Sequence, residues 1–303
     1  PDHFTPEMFG AKGDGSTNDT DAFAAMAEAG DRRGGGTIEL QRTTYIVGRQ
    51  LAAVGTEGWA FPPAKIMEFE GLHAPLVIRG NGARLKCAAG LRYGLFDRVT
   101  GEVFHHPQPY YDGHQLATPY VAMISVKRSS APFELGDLEL DGSLDDLMIG
   151  GPFGDTGWQI PAIGLFLADN SASETMRNLH SHHHGQDGIE ISGNDGRQAR
   201  SHFVNVVCDY NGRQGVSIIG GRGYDFSGCK FNHTGRSKLA SAPAAGVDIE
   251  AEGKKINRDM SFTDCEFSDN HGCGMVAEAG DSEGVTFTRC RFIGTTAWSA
   301  WPN

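Results

Sequence analysis

NLHSHHHGQDGIEISG (Asn178–Gly193) is followed along the chain by NVVCDYNGRQGVSIIGG (Asn205–Gly221), FSGCKFNHTGRSKLASAPAAGVDIEAEG (Phe226–Gly253) and FTDCEFSDNHGCGMVAEAG (Phe262–Gly280). VTFTRCRF (Val285–Phe292) opens a fifth copy. Each copy carries a short β run, a turn rich in Asn, Asp and Gly, and then a glycine followed by alternating apolar residues. Segments of 21 to 36 residues, differing by insertions, are too short to bury an apolar face alone. They bury it by stacking, one coil on the next.

Alternation along a strand assigns the faces. Ile189 and Ile191, Val216 and Ile218, and Val247 and Ile249 point inward, leaving Glu190, Ser217, Asp248 and Glu250 outside. Alignment on the cysteines turns Cys208 with Tyr210, Cys229 with Phe231, Cys265 with Phe267 and Cys290 with Phe292 inward. The same alignment places His182, Asp209, Lys230, Glu266 and Arg291 in one outward column, packs His183 inward beside Tyr210 and Phe231, and stacks His184, Asn211 and Asn232 at a turn. Recurring cysteines of this kind read as buried free thiols that serve as small hydrophobes, not as a disulfide framework.

The earlier part of the chain is less regular. GLHAPLVIRGNG (Gly71–Gly82) and FELGDLELDG (Phe133–Gly142) read as strand pairs of earlier coils. Two long loops interrupt them, Phe104–Tyr120 with Tyr110 and Tyr111, and Leu144–Pro161 with Trp158. Long loops on a compact scaffold are commonly functional, and their aromatic rings suit the faces of sugars.

At the N-terminus, MFGAKGDGSTNDTDAF (Met8–Phe23) reads as a short apolar strand from Met8 to Ala11, turn chemistry from Gly13 to Asn18, and a helix capped by Asn18, Asp19 or Thr20. Phe23, Met26 and Ala27 share one face of that helix. Gly34–Gly36 ends it, and strands at Thr37–Leu40 and Thr44–Val47 follow.

This N-terminal segment, with GGGTIEL and TYIVG after it, resembles the start of pectate-lyase-superfamily right-handed β-helix proteins, which include family-28-related glycosidases and tailspike depolymerases. The close resemblance covers roughly the first fifty residues. It implies an all-β, right-handed parallel β-helix with an N-terminal capping α-helix that shields the open end of the coil. The whole chain, 1–303, is expected to be one such domain: cap and first strands over 1–50, early coils with long loops over 51–175, and regular coils over 176–303. The resemblance further implies a secreted or periplasmic location and suggests a homotrimer. The polygalacturonase motifs of paired aspartates, Gly-His-Gly and Arg-Ile-Lys have no clear counterparts in this chain.

Bulk properties fit that reading. Hydrophobic residues are 39% of the chain, and 42 glycines punctuate short apolar runs. Neither an apolar run long enough to span a membrane nor a signal peptide is visible. A net charge of −12 disfavours nucleic acid as a partner. Between Met176 and Ala240, however, eight basic residues face five acids, with six histidines besides, which suits an anionic ligand.

Polysaccharide cleavage by paired carboxylates is therefore the expected activity, on an extracellular and acidic glycan. Glycosidic hydrolysis needs two carboxyl groups across the scissile bond. Glu190 and Asp248 are expected two coils apart on one outward face, with Asp187 at the corner and Glu250 beside Asp248. His184 is added as a candidate base. Substrate contacts are expected from His182, Asp209, Arg213, Lys230, His233, Tyr110, Tyr111 and Trp158. A lyase or C5-epimerase is the rival chemistry, with Ca2+ as its cofactor in the lyase case. A non-catalytic glycan-binding module is the rival of another class. His180, His182 and His184 share strand parity, but without visible second-shell support no metal site and no cofactor is assigned.

Overall fold

The structure is a computed structural model, and it describes residues 2–51, 58–104, 115–151, 160–294 and 300–302. Its strands form long parallel sheets in which each coil pairs with the next. Three faces recur in every regular coil. The first is built by Glu174–Arg177, Ser201–Val204, Tyr224–Ser227, Met260–Thr263 and Val285–Thr288. The second contains His180–His182, Val207–Asp209, Lys230–Asn232, Glu266–Ser268 and Arg291–Ile293. The third is Asp187–Ser192, Gln214–Ile218, Ala245–Ile249 and Met275–Ala277. No helix among the described residues is long and apolar enough to cross a membrane.

The corner between the first and second faces sets the register. Asp137, Asn178, Asn205, Gly228, Asp264 and Arg289 stack there, all left-handed with φ between 50° and 63°. Asn, Asp and Gly tolerate that conformation better than other residues. Counting from this corner corrects the alignment made on cysteines. Cys208 pairs with Phe231, not with Cys229, and Phe231 continues to Phe267 and Phe292. Cys229, Cys265 and Cys290 do form a column. Each thiol donates to a phenylalanine carbonyl of the preceding coil, at Phe203, Phe226 and Phe262. All six cysteines are free.

The same correction splits the expected outward column into two. One runs His180, Val207, Lys230, Glu266, Arg291, and the other His182, Asp209, Asn232, Ser268. Tyr210 and His183 do not point inward either. With His233 they occupy a second left-handed corner, and their rings stack at 5.1 and 4.5 Å.

Inside that second corner runs a polar ladder of His184, Asn211, Thr234 and Asn270, all fully buried. Asn211 Oδ1 accepts the His184 N–H at 3.0 Å, and its Nδ2 donates to the Ser181 carbonyl at 3.2 Å. Asn270 repeats the pattern one step on, with Thr234 N–H and Phe231 O. Asn232 is not part of this ladder; it bonds Glu266 and Ser268 on the second face.

The ladder explains two of the glycines near the start of third-face strands. A Cβ on Gly188 would lie 2.7 Å from Asn211 Nδ2 and 2.8 Å from the Gly215 carbonyl oxygen, and one on Gly246 2.9 Å from Asn270 Nδ2. Gly188→Ala is expected to destabilise the protein by about 1–3 kcal/mol through overpacking, read as a lower thermal midpoint. Gly196→Ala is the control, because its nearest neighbour would be Asn194 Oδ1 at 3.4 Å. A Gly188→Ala protein as stable as the Gly196→Ala control would refute the ladder's steric role.

The helix spans Thr20–Arg33 and ends at Gly34, which is left-handed. It buries Phe23, Met26 and Ala27, with Phe23 set edge-on against Tyr45 at 5.1 Å. Asn18 Oδ1 takes the Thr20 N–H, while the Asp19 carboxylate closes the preceding turn on the N–H groups of Lys12 and Gly13. Met8 to Ala11 is not a strand. Pro6–Phe9 forms a 3-10 turn, initiated by Thr5 and by the fixed φ of Pro6.

Candidate active site

On the third face one outward row reads Glu68, Ser125, Phe166, Glu190, Ser217, Asp248, Val276. Glu190 and Asp248 therefore flank Ser217, with Cα atoms about 9–10 Å apart at the usual strand spacing. At the corner beneath them, Asp187 is in register with Gln214 and Ala245. Arg213 grips the Asp187 carboxylate through two hydrogen bonds, Nε to Oδ1 at 3.0 Å and Nη2 to Oδ2 at 2.6 Å. Both side chains are buried. Gln214 Nε2 donates to Asp248 Oδ2 at 2.8 Å. Asp187, Glu190, Asp248, Glu250 and Arg213, expected from separate places in the sequence, thus form one cluster.

Burial, reinforced by the charge of Asp187, pushes the Glu190 carboxyl up to about 8, against the opposing pull of Arg213. Burial also pushes Asp248 up to about 7, followed by the influence of Glu250 and again opposed by Arg213. The site therefore holds two carboxyl groups that exchange protons near neutral pH beside one fixed ion pair. Such groups suit general acid and general base work.

Other expected site residues lie elsewhere. His184 is a correction: it is fully buried inside the coil, with Nδ1 at 2.7 Å from Tyr120 Oη and Nε2 at 3.1 Å from the Leu140 carbonyl. Burial drives its pKa down to about 3, so it is a neutral rung of the ladder with no route to a substrate. Arg213 is consumed by Asp187, which leaves it a positioning role. His182, Asp209, Lys230 and His233 belong to the second face and its corner, where Asp209 Oδ1 meets His233 Nδ1 at 2.6 Å. Tyr110, Tyr111 and Trp158 lie outside the described residues, as does most of the long Phe104–Tyr120 loop.

Sequence reasoning missed two supports. Gln214 precedes GVSI just as Asp187 precedes GIEI, so matching the glycines would have placed it under Asp248. The second is a strap from the later coils. Ser237 Oγ donates to Asp145 Oδ1 at 2.6 Å and Lys238 Nζ to the Leu147 carbonyl at 2.6 Å, reaching back across two coils. Leu239 of this strap covers Gly212 at the corner. No local pattern signals a contact between residues more than ninety apart in sequence.

Comparison with known proteins agrees with this architecture. Residues 158–299 match the model of the right-handed β-helix region family. A capsule KN3-specific depolymerase of Klebsiella phage KN3-1 is 25% identical over 334 aligned positions, covering 99% of this chain and 38% of the relative. Among solved structures, ORF18 of Geobacillus virus E2 aligns with a TM-score of 0.53 at 15% identity, over 95% of this chain and 48% of that one. The tailspike gp49 of Acinetobacter baumannii bacteriophage Fri1, a capsular polysaccharide depolymerase, aligns at 0.51 with 13% identity, over 98% and 47%. This chain spans less than half the length of each. The stacked register, the family match and these likenesses make the chain a right-handed parallel β-helix protein, the fold shared by pectate-lyase-like proteins and phage tailspikes.

Proposed function

We propose that the chain depolymerises a bacterial surface polysaccharide by glycosidic hydrolysis, with Glu190 as general acid and Asp248 as general base. The observation that carries this reading is the pair itself: two protonatable carboxyl groups on one outward row, with one strand between them, over the Asp187–Arg213 ion pair. Glu190, protonated near neutral pH, gives its proton to the leaving oxygen. Asp248 takes a proton from the attacking water. Gln214 holds one oxygen of Asp248, and Glu250 stands beside the same carboxyl group. Side chains leaning toward each other from this Cα spacing would bring the carboxyl groups into the roughly 6.5–9.5 Å of inverting enzymes. The name of the phage relative, a capsule depolymerase, supports the substrate class.

The local excess of positive charge gives little support to an acidic substrate. Arg197 pairs with Glu174, Arg200 with Asp225 and Asp259, Arg213 with Asp187, and Arg236 with Asp269. The test is therefore a panel of neutral and uronate-containing capsular polysaccharides. New reducing ends of inverted anomeric configuration are expected, without the ultraviolet absorbance of an unsaturated uronate. Appearance of that absorbance would replace hydrolysis with elimination. Binding without any product would leave a recognition module.

A further inference from the structure

We propose that the second face carries a binding site for a divalent transition cation, zinc in particular, built by Glu139, His180, His182 and Asp209 from three successive coils. This site is separate from the acid pair and does not rest on the hydrolytic reading. Glu139, His180 and Asp209 come from adjacent coils, with His180 in register with Glu139 on one side and Val207 on the other, and His182 in register with Asp209.

His180 and His182 are two residues apart on one strand, so both project from the same side, and their rings lie 4.2 Å apart. The ligand atoms of Glu139, His180 and His182 all lie within 4.8 Å of one another. Ligands on a tetrahedral zinc with bonds of 2.0–2.1 Å sit about 3.4 Å apart, so small side-chain rotations close the set. His182 Nε2 is 2.8 Å from Glu139 Oε1. His180 Nε2 is buried and makes no hydrogen bond, and the nearest acid to it is Asp209, with Oδ2 at 4.0 Å. Two imidazoles with two carboxylates form a donor set suited to zinc.

A metal-bound histidine needs an acceptor for its other ring nitrogen, which fixes the tautomer. His182 has that acceptor in place. If Nε2 binds the cation, Nδ1 carries the proton, and His183 Nδ1 stands 2.7 Å away with Asp141 Oδ1 at 3.8 Å. This arrangement supplies the second-shell support that the sequence does not reveal.

The test uses the whole chain without an affinity tag, freed of metal by chelation and dialysis, then titrated with Zn2+ by calorimetry and with Co2+ by visible absorption. One ion per chain at micromolar affinity or tighter is expected, with the intense blue bands of tetrahedral Co2+ and a higher thermal midpoint when Zn2+ is present. His180 is half-exposed, so His180→Ala should stay folded by circular dichroism and bind at least about tenfold more weakly. Glu139→Gln should behave alike, while His202→Ala, on the first face, should match the unaltered protein. Absence of a site tighter than millimolar, or equal affinity in the folded His180→Ala protein, would overturn the proposal.

Discussion

Glu190→Gln and Asp248→Asn are each expected to lower depolymerase turnover by about a thousandfold or more, within the range that one positioned acid or base contributes, with the fold intact. Each substitution keeps the side-chain volume and removes only the ability to exchange a proton. For Glu190 the stability effect has a defined sign. Its pKa in the folded protein, about 8, is raised above its ordinary 4.5. Whatever stability it contributes is therefore fully present below about 4.5 and is lost as pH rises through about 8. Above that pH the glutamine variant should melt higher than the unaltered protein, because an unfavourable buried charge beside Asp187 is gone. Activity should follow a bell. It rises as Asp248 ionises near 7 and falls as Glu190 ionises near 8. Both variants folded and fully active would remove these residues from the chemistry; a single active variant would remove only its own role.

The coil was legible because its signals are local and repeated. GIEI, GVSI and GVDI state in plain sequence which residues face inward, and from that Glu190 and Asp248 were paired correctly across Ser217. The cap was legible for the same reason, since Phe23, Met26 and Ala27 fall on one helical face. Anchoring on cysteine offsets the second face by two residues between the coils of Cys208 and Cys229. A buried thiol is a small hydrophobe that fills either an inward strand site, as Cys208 does, or a corner site, as Cys229 does. The left-handed Asn205 and Gly228 are the stricter anchors, because backbone conformation, not volume, selects them. His184 was misassigned because three histidines in a row look alike in sequence. The corner bend turns His182 toward Glu139, His183 onto the Tyr210 ring and His184 into the interior.

Arg213→Met is expected to cost about 3–5 kcal/mol of stability, the usual consequence of leaving one partner of a buried ion pair behind. Asp187 is fully buried, and Arg213 supplies two charge-assisted hydrogen bonds to it. Methionine fills much of the volume but returns neither the charge nor the donors. The double variant Asp187→Leu/Arg213→Met removes both charges together and should recover most of the loss, since an apolar pair replaces a desolvated ionic one. Denaturant melts of the two single variants and the double variant measure the coupling directly. The pair also has a catalytic signature that a purely structural role would not produce. Arg213 holds down the pKa values of both Glu190 and Asp248. In protein that remains folded without Arg213, both limbs of the pH–activity bell should therefore move to higher pH. In the double variant the loss of Asp187 removes a neighbouring negative charge as well, so the Glu190 limb should return toward its original position. A single Arg213→Met variant as stable as the unaltered protein, with an unmoved pH profile, would mean that the ion pair neither holds the corner nor tunes the acids above it.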